Sequence, residues 1–303
     1  MTTVTAAVAD SRALWLRAEP PHAVVYFEEE CRALSRALGL KGFWMGYFAA
    51  RTAPLGAVGP GAATAALGVF APGMVARALP SAWELAPPGR VVEERAARTA
   101  RALRSLAPDA ERIAAEVNPA LTTAVAEAPP LGRPLFAANR DLCAALQGAD
   151  PVQELWQLLT CVREFRGDAH LAVLADRGLD GCEALVLAAA TGRVGAGSIR
   201  QDRGWSEDEW EEAVDRLRAR GLIAGGAGGG AGVRVTDQGL TERELIEDAT
   251  DRLAARLLDP LTEKETHALL SGLEPLSRSV RDSGVLPFPN PMGLPKCQCG
   301  GAG

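Results

Sequence analysis

The sequence predicts a mainly α protein: a multi-helix N-terminal region followed by a winged helix-turn-helix with a small β-hairpin wing. Three observations carry that expectation. Ala, Leu, Arg and Glu, all good helix formers, dominate the composition, and lysine is nearly absent. Apolar residues recur every three or four positions through most of the chain. From residue 180 onward the order is helix, short helix, helix, strand, glycine loop, strand, helix, which is the order of a winged helix.

The elements follow from local signals. "HAVVYFEEECRALSRALG" (from His22) reads as a helix ending at Gly39, with Tyr26, Phe27, Cys31, Leu34 and Leu38 near one face. "GFWMGYFAARTAPLG" is a second helix, stopped before Pro54. Pro and Gly divide residues 59 to 86 into short helices. Residues 90 to 125 hold two polar amphipathic helices broken near "LAPDAE". "GRPLFAANRDLCAALQ" is another helix, and Asp150 is placed to cap "DPVQELWQLLTCVREFRG". Asp180 with Glu183, and Ser206 with Glu209, have capping-box spacing. "TERELIEDATDRLAARLLDPL" and "EKETHALLSGLEPLSRSVRDSG" are the last helices, and the prolines of "VLPFPNPMGLP" exclude regular structure. The expected layout is a flexible N-terminus over 1–20, a helical domain over 21–170, a winged helix-turn-helix with C-terminal helices over 171–283, and an irregular tail over 284–303. The helical domain is open to reading as a degenerate second winged helix.

At 303 residues, 48% hydrophobic and 23% charged, the chain is an ordinary globular composition with one large or two ordinary domains. No apolar run reaches the roughly 18 to 20 residues that cross a bilayer. The N-terminus lacks a basic stretch followed by an apolar one, so the expected setting is cytoplasmic. Cys31, Cys143, Cys161 and Cys182 sit in apolar helical contexts, where a thiol is a small hydrophobe. Cys297 and Cys299, in "PKCQCGGAG", read as a free end rather than a metal site, because no ligand set lies near them. No cofactor or metal motif is present: there is no Walker-type loop, no paired histidine motif and no nucleophile elbow.

Several blocks together resemble a family: "HAVVYFEEE", "GYFAARTAPLGAV", "RALPSAWELA", "GRPLFAAN", residues 162 to 170, "RGWSEDEW", "ATDRLAA" and "PNPMG". The chain resembles an actinobacterial helix-turn-helix family whose members are labelled SalK-like or MarR-like regulators, some of them from natural-product gene clusters. The resemblance covers about residues 20 to 293 and implies a helical protein with a winged-helix C-terminal part. This chain departs from the pattern at Phe165, where relatives carry histidine, at Ala169, where they carry glycine, and at Glu29, where they tend to carry proline.

In a helix-turn-helix the second helix enters the major groove through its N-terminal residues. Here that helix begins with Glu207, Asp208, Glu209, Glu211 and Glu212, each of the wrong sign for phosphate. Arg216, Arg218 and Arg220 lie at its far end, where they complement the helix dipole. The glycine-rich wing carries no Arg or Lys at its tip, and the net charge is −6. DNA is therefore a disfavoured partner.

"REFRGDAH" concentrates charge between two apolar segments. Gly167 reads as a helix stop or bend, with Asp168 capping the next helix. The plain reading is a buried network of ion pairs and caps. The functional reading makes Arg163 and Arg166 an anion clamp, with His170 oriented by Asp168 as an acid–base pair. "FWMGYFAAR" sets Trp44, Tyr47 and Phe48 around Gly46, with Arg51 four residues after Tyr47. A helical glycine costs about 1 kcal/mol unless something approaches closely, either a neighbouring helix or a ligand. Tyr26 and His22 can join such a pocket, and Arg203 and Trp205 stand just before the acidic helix. The candidate site is therefore Asp168 and His170 as catalytic groups, with Tyr26, Trp44, Tyr47, Arg51, Arg163, Arg166, Arg203 and Trp205 as ligand-binding groups.

The first functional expectation is a small-molecule binding protein derived from a winged helix, with acid–base chemistry on its ligand, as monomer (pseudo-dimer) or homodimer. The alternative is a MarR-like regulator whose ligand controls DNA affinity. A scaffold without ligand is the third.

Overall fold

A computed structural model describes residues 2–225, 232–290 and 292–295. The tip of the expected wing and the Cys297/Cys299 tail lie outside them. The protein is mainly helical. In chain order the elements are α1 (Thr2–Phe27), α2 (Glu29–Arg32), α3 (Leu34–Ala37), α4 (Gly42–Thr52), a 3-10 turn (Ala53–Leu55), α5 (Pro60–Leu67), α6 (Pro72–Ala78), α7 (Ala82–Leu85), α8 (Pro88–Leu106), α9 (Ala110–Glu127), α10 (Pro134–Leu146) and α11 (Pro151–Asp176). Then come α12 (Gly181–Ala190), α13 (Ala196–Arg203), α14 (Glu207–Ala219), β1 (Ile223–Ala224), β2 (Arg234–Val235), α15 (Asp237–Ala255) and α16 (Glu263–Asp282). β1 and β2 pair antiparallel, Ile223 opposite Val235.

The local caps are where the residues put them. Asp150 accepts from the backbone N–H of Val152 and Gln153 at 3.0 Å, and both capping boxes close. The N-terminal expectation needs correction. The expected flexible lead is helical from Thr2 onward: α1 runs through Pro20 and Pro21, with Ser11, Leu14 and Ala18 buried. Two prolines remove N–H donors and signal a break. The helix continues because α11, α15 and α16 pack along it. The segment after it, expected as one helix to Gly39, is split into the single turns α2 and α3. A boundary at 170 also fails, because it falls inside α11.

Three cores result. Leu14, Val24, Leu103, Val117, Trp156, Phe165 and Leu273 belong to the first, built on α1, α8, α9, α11 and α16. Phe48, Phe70 and Val75 fill the second, among α4 to α7, and Val186, Trp210 and Leu217 fill the third, among α12 to α15. The second and third meet at glycines. A Cβ on Gly181 would stand 2.1 Å from the carbonyl oxygen of Gly68, so only glycine permits that backbone approach. Trp205 Nε1 donates to Val69 O at 3.0 Å, and Ala71 N to Arg203 O at 2.9 Å, fixing α13 against the α5–α6 connection.

Candidate functional site

α11 is the axis of the site. It does not stop at Gly167. A Cβ there would lie 3.3 Å from Arg163 Nη1 and 3.6 Å from Glu164 Oε2, so the glycine clears room for the Arg163 side chain to fold back over the helix. Arg163 Nη1 then donates to Glu164 Oε2 at 2.6 Å. From α4, Arg51 Nη2 donates to both oxygens of Glu164 at 3.0 Å. Burial alone would raise the Glu164 carboxyl, but Arg163 and Arg51 outweigh it and hold it at about 2. From α1, Glu19 is buried and its carboxyl is raised by that burial, against Arg163.

Behind this pair lies a small cavity of about 10 Å³, room for roughly one water, lined by His22, Tyr26, Arg51, Arg95, Trp156 and Thr160 with Glu164. The hydroxyl of Thr160 donates to Trp156 O at 2.9 Å, so its oxygen accepts from His22 Nδ1 at 3.1 Å. That fixes the neutral ring with Nε2 free to accept, and the Tyr26 hydroxyl donates to it at 3.3 Å. Burial, with Arg163 adding to it, holds His22 well below its ordinary range. Arg95, on α8, donates to Ala50 O and to Asn139 Oδ1, and lies 5.3 Å from the Trp156 ring centroid. Burial lowers it to about 10.

Toward the surface the wall is aromatic. Tyr26 and Tyr47 have centroids 5.0 Å apart, and Trp44 stands 5.6 Å from Tyr47. Phe43 is 39% exposed. Arg203 lies 4.8 Å over Phe70, and burial lowers its pKa, with Arg51 and Arg163 acting in the same sense. Its Nε is buried without a hydrogen-bond partner, as are those of Arg51 and Arg95. Gly46, in the middle of this wall, is explained by a helix neighbour: its Cβ would stand 1.8 Å from Ser35 Oγ on α3.

The structure thus gathers Tyr26, Trp44, Tyr47, Arg51, Arg163 and Arg203 about one region. Trp205 is instead a structural anchor, through its bond to Val69 O. The remaining expected groups are elsewhere. Arg166 does not clamp with Arg163; it pairs with Glu247 at 2.8 Å and Asp251 at 3.0 Å on α15, under the Trp15 ring. Asp168 caps no following helix, since α11 is continuous. It accepts from Phe136 N at 2.9 Å, at the start of α10, and burial raises its carboxyl to about 7. His170 is not oriented by Asp168; its Nδ1 meets Thr250 Oγ1 at 3.1 Å. Phe165 is fully buried against Phe136 and the Arg133 guanidinium. Sequence reading did not single out Arg95 or Thr160. The available signal for Arg95 was its place on the stripe Val91, Thr99 and Leu103 of α8, where a charge must be satisfied internally.

α14 presents Glu207, Asp208, Glu211 and Glu212 to solvent. Arg216 pairs with Asp180 at 2.7 Å and Glu183 at 2.9 Å, and Arg218 pairs with Asp215 and donates to Gly225 O. Arg220 donates to Gly178 O and Arg177 O.

A family model, described as a helix-turn-helix family, matches residues 11–287. The chain belongs to that helix-turn-helix family. No curated protein and no solved structure matches it. As a helix-turn-helix family member it carries at most the suggestion of a DNA-binding, regulator-like role. Among the described residues no helix is long and apolar enough to cross a membrane, and no group of three His, Cys, Asp or Glu could hold a metal ion.

Proposed function

We propose that the protein binds a small organic anion with a planar or aromatic body where α1, α4 and α11 meet, beside Arg203 at the end of α13, and that its winged helix, residues 180 to 255, no longer reads DNA. The observation that carries this is the surplus of guanidinium groups. Arg51 and Arg163 contact Glu164, which is ionised; Arg95 lies within reach of its charge, Arg203 within reach of Arg51 and Arg163, and burial raises the carboxyl of Glu19 beside them. Buried charge without a counter-charge is costly, and a carboxylate or phosphate on the ligand offsets it with bidentate hydrogen bonds. Tyr47, Trp44 and exposed Phe43 supply an apolar platform for the ligand's body. The cavity behind Tyr26 is narrow, so the anionic end enters by turning Tyr26 or Tyr47 aside. Acid–base work on the ligand falls to Tyr26 and His22, which are linked within the site, rather than to Asp168 and His170, which are held by separate partners.

A second reading, a ligand-responsive DNA-binding regulator, is favoured by the family. The exposed acids of α14 weigh against it, as does the engagement of Arg216, Arg218 and Arg220 with internal partners. Native mass spectrometry of the protein from its own cells tests the binding reading. A bound mass of a few hundred daltons, lost in Arg203→Ala, supports it. Unliganded protein together with tight, sequence-specific binding to DNA at physiological salt overturns it in favour of the second.

A further inference from the structure

The described residues contain one pair of thiols in contact. Cys143 Sγ on α10 and Cys161 Sγ on α11 are 3.6 Å apart, and both are free. They are 18 residues apart in the chain, across the turn that joins two helices packed along each other. Cys161 is fully buried, whereas Cys143 is partly exposed beside exposed Ala144 and Ala145. A disulfide requires the sulfurs to close by about 1.6 Å, within reach of χ1 rotation and a small helix adjustment.

We propose that Cys143 and Cys161 are an oxidation site that closes to a disulfide between α10 and α11 by exchange with a low-molecular-weight disulfide. The Cys143 thiolate attacks one sulfur of the small disulfide, and the first small thiolate leaves. Cys161 then attacks the Cys143 sulfur of the mixed disulfide, giving its proton to the second departing thiolate. Two protein thiols and one small disulfide become one protein disulfide and two small thiols. Exposure sets this order: Cys143 is the sulfur a reagent reaches, and Cys161 is buried with its sulfur against that of Cys143, so it meets only the mixed disulfide formed there.

The pair is linked through Asn139 to Arg95, which lines the cavity. Cys143 Sγ leans on Asn139 O at 3.7 Å, and Gln157 Nε2 donates to the same carbonyl at 2.9 Å. Asn139 Oδ1 in turn accepts from Arg95 at 2.8 Å. Closing the sulfurs therefore pulls on the anchor of a guanidinium that lines the cavity. The oxidation site itself does not rest on the ligand-binding reading.

Tryptic cleavage after Arg140 and Arg163 releases one peptide, 141–163, carrying both cysteines and no other. The test treats native, reduced full-length protein with glutathione disulfide, then alkylates it under denaturing conditions. The expected peptide has lost two hydrogens and takes up no alkyl group, and the reduced control takes up two. In Cys143→Ser, Cys161 stays reduced and takes up one. Two alkyl groups on the treated wild-type peptide overturn the proposal. So does a lasting glutathione adduct, or a link from this peptide to any other cysteine.

Discussion

Arg51 Nη2 stands 3.0 Å from each oxygen of Glu164, 113 residues away, and both side chains are almost completely buried. This contact joins α4 to α11 and so ties the second core to the first. Removing the carboxylate leaves Arg51 and Arg163 facing each other without it. Glu164→Ala is expected to destabilise the fold by about 3–5 kcal/mol, read from denaturant midpoints at constant slope.

The same pair sets an acid limit. The Glu164 carboxyl is depressed from an ordinary 4.5 to about 2, so its contribution is fully present above about 4.5 and is lost as the pH falls through 2. A melting temperature that falls steeply from pH 4.5 to 2 in the wild type, and less in Glu164→Gln, is the expected result.

Asp168 works in the opposite direction. Burial raises it from 3.8 to about 7, so its contribution is complete below about 3.8 and fades as the pH rises through 7. Asp168→Asn keeps an oxygen to accept from Phe136 N. It is expected to lose less stability than the wild type between pH 5 and 8, measured as melting temperature against pH.

Gly46 and Gly167 separate packing from function. Gly46→Ala drives a methyl into Ser35 and is expected to cost about 1–3 kcal/mol, partly restored by Ser35→Gly. Gly167→Ala comes closest to the far end of the Arg163 side chain, which can shift, and meets Glu164 Oε2 only at ordinary contact distance. Its gain in helix propensity, about 1 kcal/mol, offsets that shift, so its melting temperature stays at or above that of the wild type. Its affinity for an organic anion falls, because Arg163 is displaced.

The features legible in the sequence were local ones. Asp150, Asp180 with Glu183, and Ser206 with Glu209 cap helices through partners two or three residues away, and that spacing can be read directly. The mainly helical class followed from composition and periodicity. The site was legible only in part. Arg163 and Arg166 are three apart, yet Arg163 bonds Glu164 of its own helix beside Glu19 of α1, while Arg166 pairs with α15, which no spacing rule reveals. Pro20–Pro21 looked like a break because proline signals are local, whereas the packing that carries α1 through them is not. Gly167 looked like a stop for the same reason.

On the proposed reading, Arg51 and Arg163 at Glu164, with Arg203 nearby, hold an organic anion. Isothermal titration of the wild type and Arg203→Ala with aryl carboxylates, and with the matching uncharged amides, tests it most directly. Saturable binding of at least one carboxylate, weakened tenfold or more in Arg203→Ala and absent for its amide, is the predicted result, corresponding to about 1.4 kcal/mol or more for the anionic contact. Amide and carboxylate binding alike, or no heat from any of them at millimolar concentration, would contradict it.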